Sequence, residues 1–217
     1  MINSKTLTVL VGITTLSLAA QADLVKITLT GNVDFNVIQG SMAGVASGAP
    51  VSMSFNVDSN NFLNSLSFPT RGYTVIDSSF VMTVDGRPVT FDNPQPDSYY
   101  FVLRNNDPTI DGFFMSAGPD LPSPASVHIP GLSPAHELNV LHTFTDGSVF
   151  NSLNILDAVG TYDLAANVSV YNWGIGRFGN NGAEYTPSQL KIETVPEPAT
   201  MTILGLGLLA AAQKRKK

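Results

Sequence analysis

The sequence predicts an all-β protein, a single antiparallel β-sandwich of jelly-roll-like or immunoglobulin-like type, with the strand order left open. Three observations predict it. Apolar residues alternate with period two along most of the segment between residues 23 and 194, which marks strands with one buried face. Gly, Pro, Asn and Asp break these runs at short intervals, as turns in a sandwich require. No segment carries a capped amphipathic helical stripe.

The first element precedes the body. Met1 to Ala22 places Lys5 ahead of an apolar run, Leu7 to Ala20, and closes on Ala20-Gln21-Ala22 before Asp23. Charge, short hydrophobic stretch and small-residue exit in that order describe a signal helix removed after Ala22 by signal peptidase. The run is too short for a permanent span, which takes about 20 apolar residues.

Strands then follow. Val25, Ile27 and Leu29 alternate with polar residues, as do Val51, Met53, Phe55 and Val57. Phe80, Met82 and Val84 lead into Asp85-Gly86, and Val89 and Phe91 follow. An Asp-Gly between alternating runs is a strong hairpin signal, because both residues tolerate positive φ. Further strands are expected at Tyr99 to Arg104, Phe113 to Met115, Leu138 to Phe144, Asn154 to Ala158, Leu164 to Tyr171 and Leu190 to Val195. Five prolines between Pro119 and Pro134 exclude a central strand there, since proline cannot donate to a ladder. A long loop within one domain, residues 23–194, fits better than a linker between two pieces too small to be stable alone.

Composition narrows the function. The 217-residue chain has no cysteine, which excludes disulfides, thiolate metal sites and cysteine nucleophiles. Residues 23–198 hold six basic residues (Lys26, Arg71, Arg87, Arg104, Arg177, Lys191) against all 17 acids, a net of −11. Nucleic acid is excluded as a partner, because it demands a basic footprint. Calcium fits such a balance better, and Asp107 and Asp111 are the candidate ligands. Their stretch lacks the acidic residues a full calcium loop needs, with Thr109 and Gly118 standing at ligand positions. No cofactor is expected. His128, His136 and His142 form no zinc signature, and neither Gly40-Ser41-Met42-Ala43-Gly44 nor Gly131-Leu132-Ser133-Pro134-Ala135 matches a nucleophile elbow. The body is therefore expected not to be an enzyme.

One stretch invites a ligand. In Tyr171-Asn172-Trp173-Gly174-Ile175-Gly176-Arg177-Phe178-Gly179 the glycines could bare the single tryptophan, Trp173, for stacking on a sugar ring. Tyr171, Arg177 and Phe178 would complete that glycan contact. The competing reading has the aromatics plugging one end of the core.

The most specific signal lies in residues 195–217. Val195-Pro196-Glu197-Pro198 cannot sit inside a helix, since each proline removes a donor and holds its predecessor extended. Ala199 to Gln213 follows, about 22 Å long as a helix, short of the roughly 30 Å hydrocarbon core. Lys214, Arg215, Lys216 and Lys217 would hold the end on the cytoplasmic side. This triplet, short apolar transmembrane helix and basic end resemble the C-terminal sorting signal of PEP-CTERM proteins. The start of the body (Thr30-Gly31-Asn32-Val33) and the strand from Gly48 to Asp58 are more loosely similar to bodies of that family.

The resemblance implies an exosortase that recognises the Pro-Glu-Pro tail and removes it. It implies export from a Gram-negative bacterium, transient inner-membrane insertion, and a final place on the cell surface or in the extracellular matrix. A non-catalytic structural or adhesive component associated with exopolysaccharide or biofilm is the expected role. A secreted carbohydrate-binding module is the alternative, and a secreted hydrolase stands behind it.

Overall fold

The computed structural model describes residues 23–92, 98–133, 135–176 and 182–196. Twelve strands appear among them: β1 (Leu24–Asn36), β2 (Pro50–Asn64), β3 (Thr70–Val75), β4 (Val81–Val84), β5 (Arg87–Phe91), β6 (Tyr100–Arg104), β7 (Gly112–Ser116), β8 (Ala125–His128), β9 (His136–Phe144), β10 (Gly160–Asp163), β11 (Val168–Gly176) and β12 (Ala183–Thr194). Besides two short 3-10 turns, Gly40–Met42 and Asp77–Ser79, there is one α-helical turn, α1 (Leu164–Asn167), capped by the Asp163 carboxylate, which accepts from the Ala165 and Ala166 amides.

The predicted sandwich is not what forms. β1 pairs with β12 along one edge and with β2 along the other, both antiparallel. The ring β1-β12-β11-β9-β7-β6-β3-β2 therefore returns to β1 as a closed eight-stranded barrel. Closure leaves no sheet edge in the ring to protect. Period-two alternation could not reveal it, because a barrel wall and a sandwich layer each bury one face.

A second arc rides on the same frame. β2 gives its first half to β4 and its second to β3, and β9 divides itself between β8 and β7 in the same way. The arc β4-β5-β8 so bridges the two strands that β3-β6-β7 also bridges. β8 corrects the expectation for the proline-rich stretch. Pro124 and Pro130 flank it, and Ala125 to His128 contains no proline, so its amides are free for a ladder to β5 and β9.

Two further expectations fail locally. Asn154 to Ala158 forms turns beneath the barrel rather than a strand. Leu164 to Tyr171 begins as α1, because the Asp163 cap diverts the chain into a helical turn before β11 starts. The Asp85-Gly86 hairpin forms with φ of 53° and 74°, joining β4 to β5.

Inward residues from every strand but β10 meet in one hydrophobic cluster that spans both sides of the proline-rich stretch. Tyr73 ties its wall to the floor. Its buried hydroxyl donates to the Leu153 carbonyl at 2.6 Å and accepts from the Ile155 amide at 2.9 Å. Tyr73→Phe keeps the ring and strands both backbone groups. It is expected to cost about 1–3 kcal/mol, measured by urea unfolding, with the 145–159 connection the first to lose amide protection.

The signal helix expected over Met1–Ala22 and the transmembrane helix expected over Ala199–Gln213 lie outside the described residues. Among the described residues no helix is long and apolar enough to cross a membrane.

Candidate functional site

The body begins and ends at one place. Val25 pairs with Thr194, and the Val195 amide donates to the Leu24 carbonyl at 2.7 Å. The Asp23 carbonyl accepts from the Ser59 amide at 3.1 Å. Asp23 and Pro196 are exposed and Val195 half-buried, so β12 hands the chain to solvent at the rim beside the residue expected to become the N-terminus. Of the predicted processing residues, Ala20, Ala22, Glu197, Pro198 and Lys214 to Lys217 lie outside the described residues.

A second feature opens in the barrel wall. β11 and β12 pair only through Gly174 with Glu184 and Ile175 with Ala183. Farther along, β12 takes β10 as its partner instead. An irregularity between Val33 and Phe35 sets Asp34 out of register with β12. The strands part there around a recess of about 250 Å³, lined by Asp34, Tyr171, Asn172, Trp173, Glu184 and Tyr185.

The recess sorts the predicted glycan residues. Tyr171 is 46% exposed, whereas Trp173 is 1% exposed and sits in the core. Gly31 makes room for it: a Cβ there would stand 2.8 Å from the indole ring and 2.2 Å from the Thr186 carbonyl oxygen. Trp173 meets Tyr185 edge to face at 5.3 Å. Arg177 and Phe178 lie outside the described residues. Asp34, Glu184 and Tyr185 were not foreseen, because their meeting depends on the barrel register and no local pattern carries it.

Behind the recess lies an unusual polar group. His142 is fully buried, stacked on Phe113 at 4.6 Å and parallel to Tyr171 at 6.3 Å. Neither of its ring nitrogens has a hydrogen-bond partner, nor does the Trp173 indole nitrogen. Burial holds the His142 imidazole down at about 3, so the ring is neutral. Burial also pushes the Tyr185 phenol up.

The calcium candidates are engaged elsewhere. Asp107 pairs with Arg104 at 3.2 Å. Asp111 is fully buried and accepts from the Asn106 and Phe150 amides at 2.9 and 2.6 Å, pinning two rim loops together. Among the described residues no three His, Asp or Glu side chains gather where they could hold a metal. A larger recess of about 430 Å³ includes Asp146, Tyr162, Asp163 and Asn167. Its carboxylates serve local structure, Asp163 capping α1 and Asp146 accepting from the Ser148 amide.

Fold and rim together define a barrel domain whose last strand ends at Thr194, just ahead of the C-terminal segment. Residues 194–216 match the PEP-CTERM protein-sorting motif, beginning on the last residue of β12. The chain therefore carries a PEP-CTERM sorting motif, which supports sorting to the cell exterior by way of exosortase. No curated protein and no solved structure matched the chain.

Proposed function

We propose that this protein is a non-catalytic structural or adhesive component of the cell surface or extracellular matrix of a Gram-negative bacterium. Signal peptidase frees Asp23, the apolar segment Ala199–Gln213 seats in the inner membrane, and exosortase cuts near Val195-Pro196-Glu197-Pro198. The observation that carries this reading is the sorting motif starting where β12 stops. The acidic barrel is left whole by a cut just beyond it. Mass spectrometry of protein released from the surface tests the processing. A C-terminus close to Pro196–Pro198 is expected, and one still carrying Lys214 to Lys217 would overturn it.

A second reading rests on the wall recess. An exposed Tyr171 ring beside Asn172 and two carboxylates, Asp34 and Glu184, suits a sugar held by one stacked face and several hydroxyl contacts. Tyr171→Ala is expected to weaken retention on the producer's exopolysaccharide at least tenfold if the recess binds it. Unchanged retention excludes the recess. Sugar release by the wild type but not by Glu184→Gln would replace both readings with a hydrolase.

A further inference from the structure

Four of the eleven large apolar side chains exposed among the described residues fall within seven positions: Phe62 (41%), Leu63 (47%), Leu66 (101%) and Phe68 (40%). Surface apolar residues ordinarily stand singly, and a cluster of them marks a contact. These four lie in the hairpin between β2 and β3. The stretch from Ser59 to Ile76 contains no acid, in a body whose net charge is −11.

The hairpin holds its shape by its own bonds. The Ser65 hydroxyl oxygen accepts from the Ser67 and Phe68 amides, both at 2.9 Å, and the Ser65 amide donates to the Thr70 carbonyl at 3.1 Å. Arg71 donates to the Asn64 side chain at 2.7 Å and lies 4.3 Å over the Phe62 ring. Neighbouring loops anchor its base, where the Thr70 hydroxyl donates to the Pro119 carbonyl at 2.6 Å and the Asn105 amide to the Pro69 carbonyl at 3.2 Å. The apolar tip is thus presented outward already ordered, so little ordering has to accompany a contact.

Its position names the contact. Asp58 pairs with Leu24 and Val25 with Thr194, so β2 passes the rung where the body starts and ends and continues beyond it as this hairpin. The chain leaves for residues 196–216 from that same rung. From Val195 to Ala199 an extended chain reaches at most about 14 Å. Six residues of extended chain from Ser59 to Ser65 cover up to about 20 Å. A body tethered at Val195 therefore brings the hairpin to the surface into which its tether runs.

We infer that the Phe62–Phe68 hairpin is a lipid-contacting foot: it inserts its apolar tip into the outer leaflet of the membrane that holds the sorting segment. The barrel end and its scissile segment are thereby fixed against the bilayer before processing. Cutting the tail removes the tether, and the foot alone, with four apolar side chains, holds only weakly, so the body can leave. This inference rests on the membrane seating of Ala199–Gln213 proposed above.

The absence of cysteine allows a single-label test on the full chain. Leu66→Cys and, at the opposite end in the exposed connection between β1 and β2, Ser47→Cys are each labelled with nitrobenzoxadiazole. The proteins are reconstituted into phosphatidylethanolamine–phosphatidylglycerol vesicles with or without doxyl-labelled lipid, and the vesicles are floated. Quenching at Leu66 at least threefold stronger than at Ser47 is expected. Equal quenching in protein that floats overturns the foot while leaving the tether intact. Protein that fails to float overturns the tether and the foot together. A Leu66 label shielded only in a concentration-dependent way, and indifferent to the quencher lipid, assigns the hairpin to a second copy of the chain and also overturns the inference.

Discussion

Trp173→Ala is expected to lower the stability of the barrel by about 3–5 kcal/mol, a large part of the roughly 5–15 kcal/mol a domain has in total. The indole is 1% exposed, packs edge to face on Tyr185 and fills space kept open by the missing side chain of Gly31. Neither strand backbone can close over the hole, because the Thr186 carbonyl already lies against Gly31. Trp173→Phe should behave differently. It gives up some contact area but also removes an indole nitrogen that has no partner, and burying such a group costs about 1–3 kcal/mol. A loss of less than about 2 kcal/mol is therefore expected for Phe, by urea unfolding monitored in the far ultraviolet. Equal losses in the two variants would show that the N–H is satisfied in solution. The same geometry fixes how carbohydrate binding has to be tested. Loss of binding in Trp173→Ala would report a damaged core, whereas Tyr171, almost half exposed, can be truncated at a smaller cost to the core.

Residues that obey a local rule were legible before the fold was known. Val25, Ile27 and Leu29 point inward as their alternation requires, and Asp85-Gly86 turns where two positive φ angles are needed. What escaped depends on pairings between distant segments. The pairing of β1 with both β2 and β12 turns layers into a barrel, and nothing within residues 24–36 distinguishes those outcomes. β10 escaped because Gly160 to Asp163 is only four residues long and has no fully buried position, so its pairing to β12 defines it more than any apolar alternation. The recess escaped for the same reason as the closure. Asp34 and Glu184 are 150 positions apart in the sequence and meet only through the register of β1 on β12. The sorting segment was the most readable element because its chemistry is linear: the order of prolines, apolar run and basic residues needs no tertiary contact to be recognised.

Acidification is expected to destabilise the wild type more steeply than His142→Phe. In the folded barrel the His142 imidazole stays neutral down to about pH 3, since it is enclosed by Phe113, Tyr171 and Trp173 with neither nitrogen partnered. In the unfolded chain the same ring takes up a proton near pH 6.5. The folded value is the depressed one, so between these limits the unfolded state binds more protons and folding weakens as the pH falls. The slope is about 1.4 kcal/mol per pH unit, present from roughly pH 6 down to pH 3 and absent above pH 7. His142→Phe removes the titration while its ring can continue the stack on Phe113. The wild type should therefore lose about 2 to 3 kcal/mol more than the variant between pH 7 and pH 4.5, measured as urea midpoints at the two pH values. At pH 7 the variant should match or exceed the wild type, because two stranded ring nitrogens leave the core. Parallel losses in the two proteins would mean that the folded barrel lets His142 protonate, which in so dry an environment requires a water or carboxylate to reach the ring through the recess behind Tyr171. A flat variant and a steep wild type would instead indicate that the recess stops short of His142, leaving the exposed Tyr171, Asn172 and the two carboxylates to supply its chemistry.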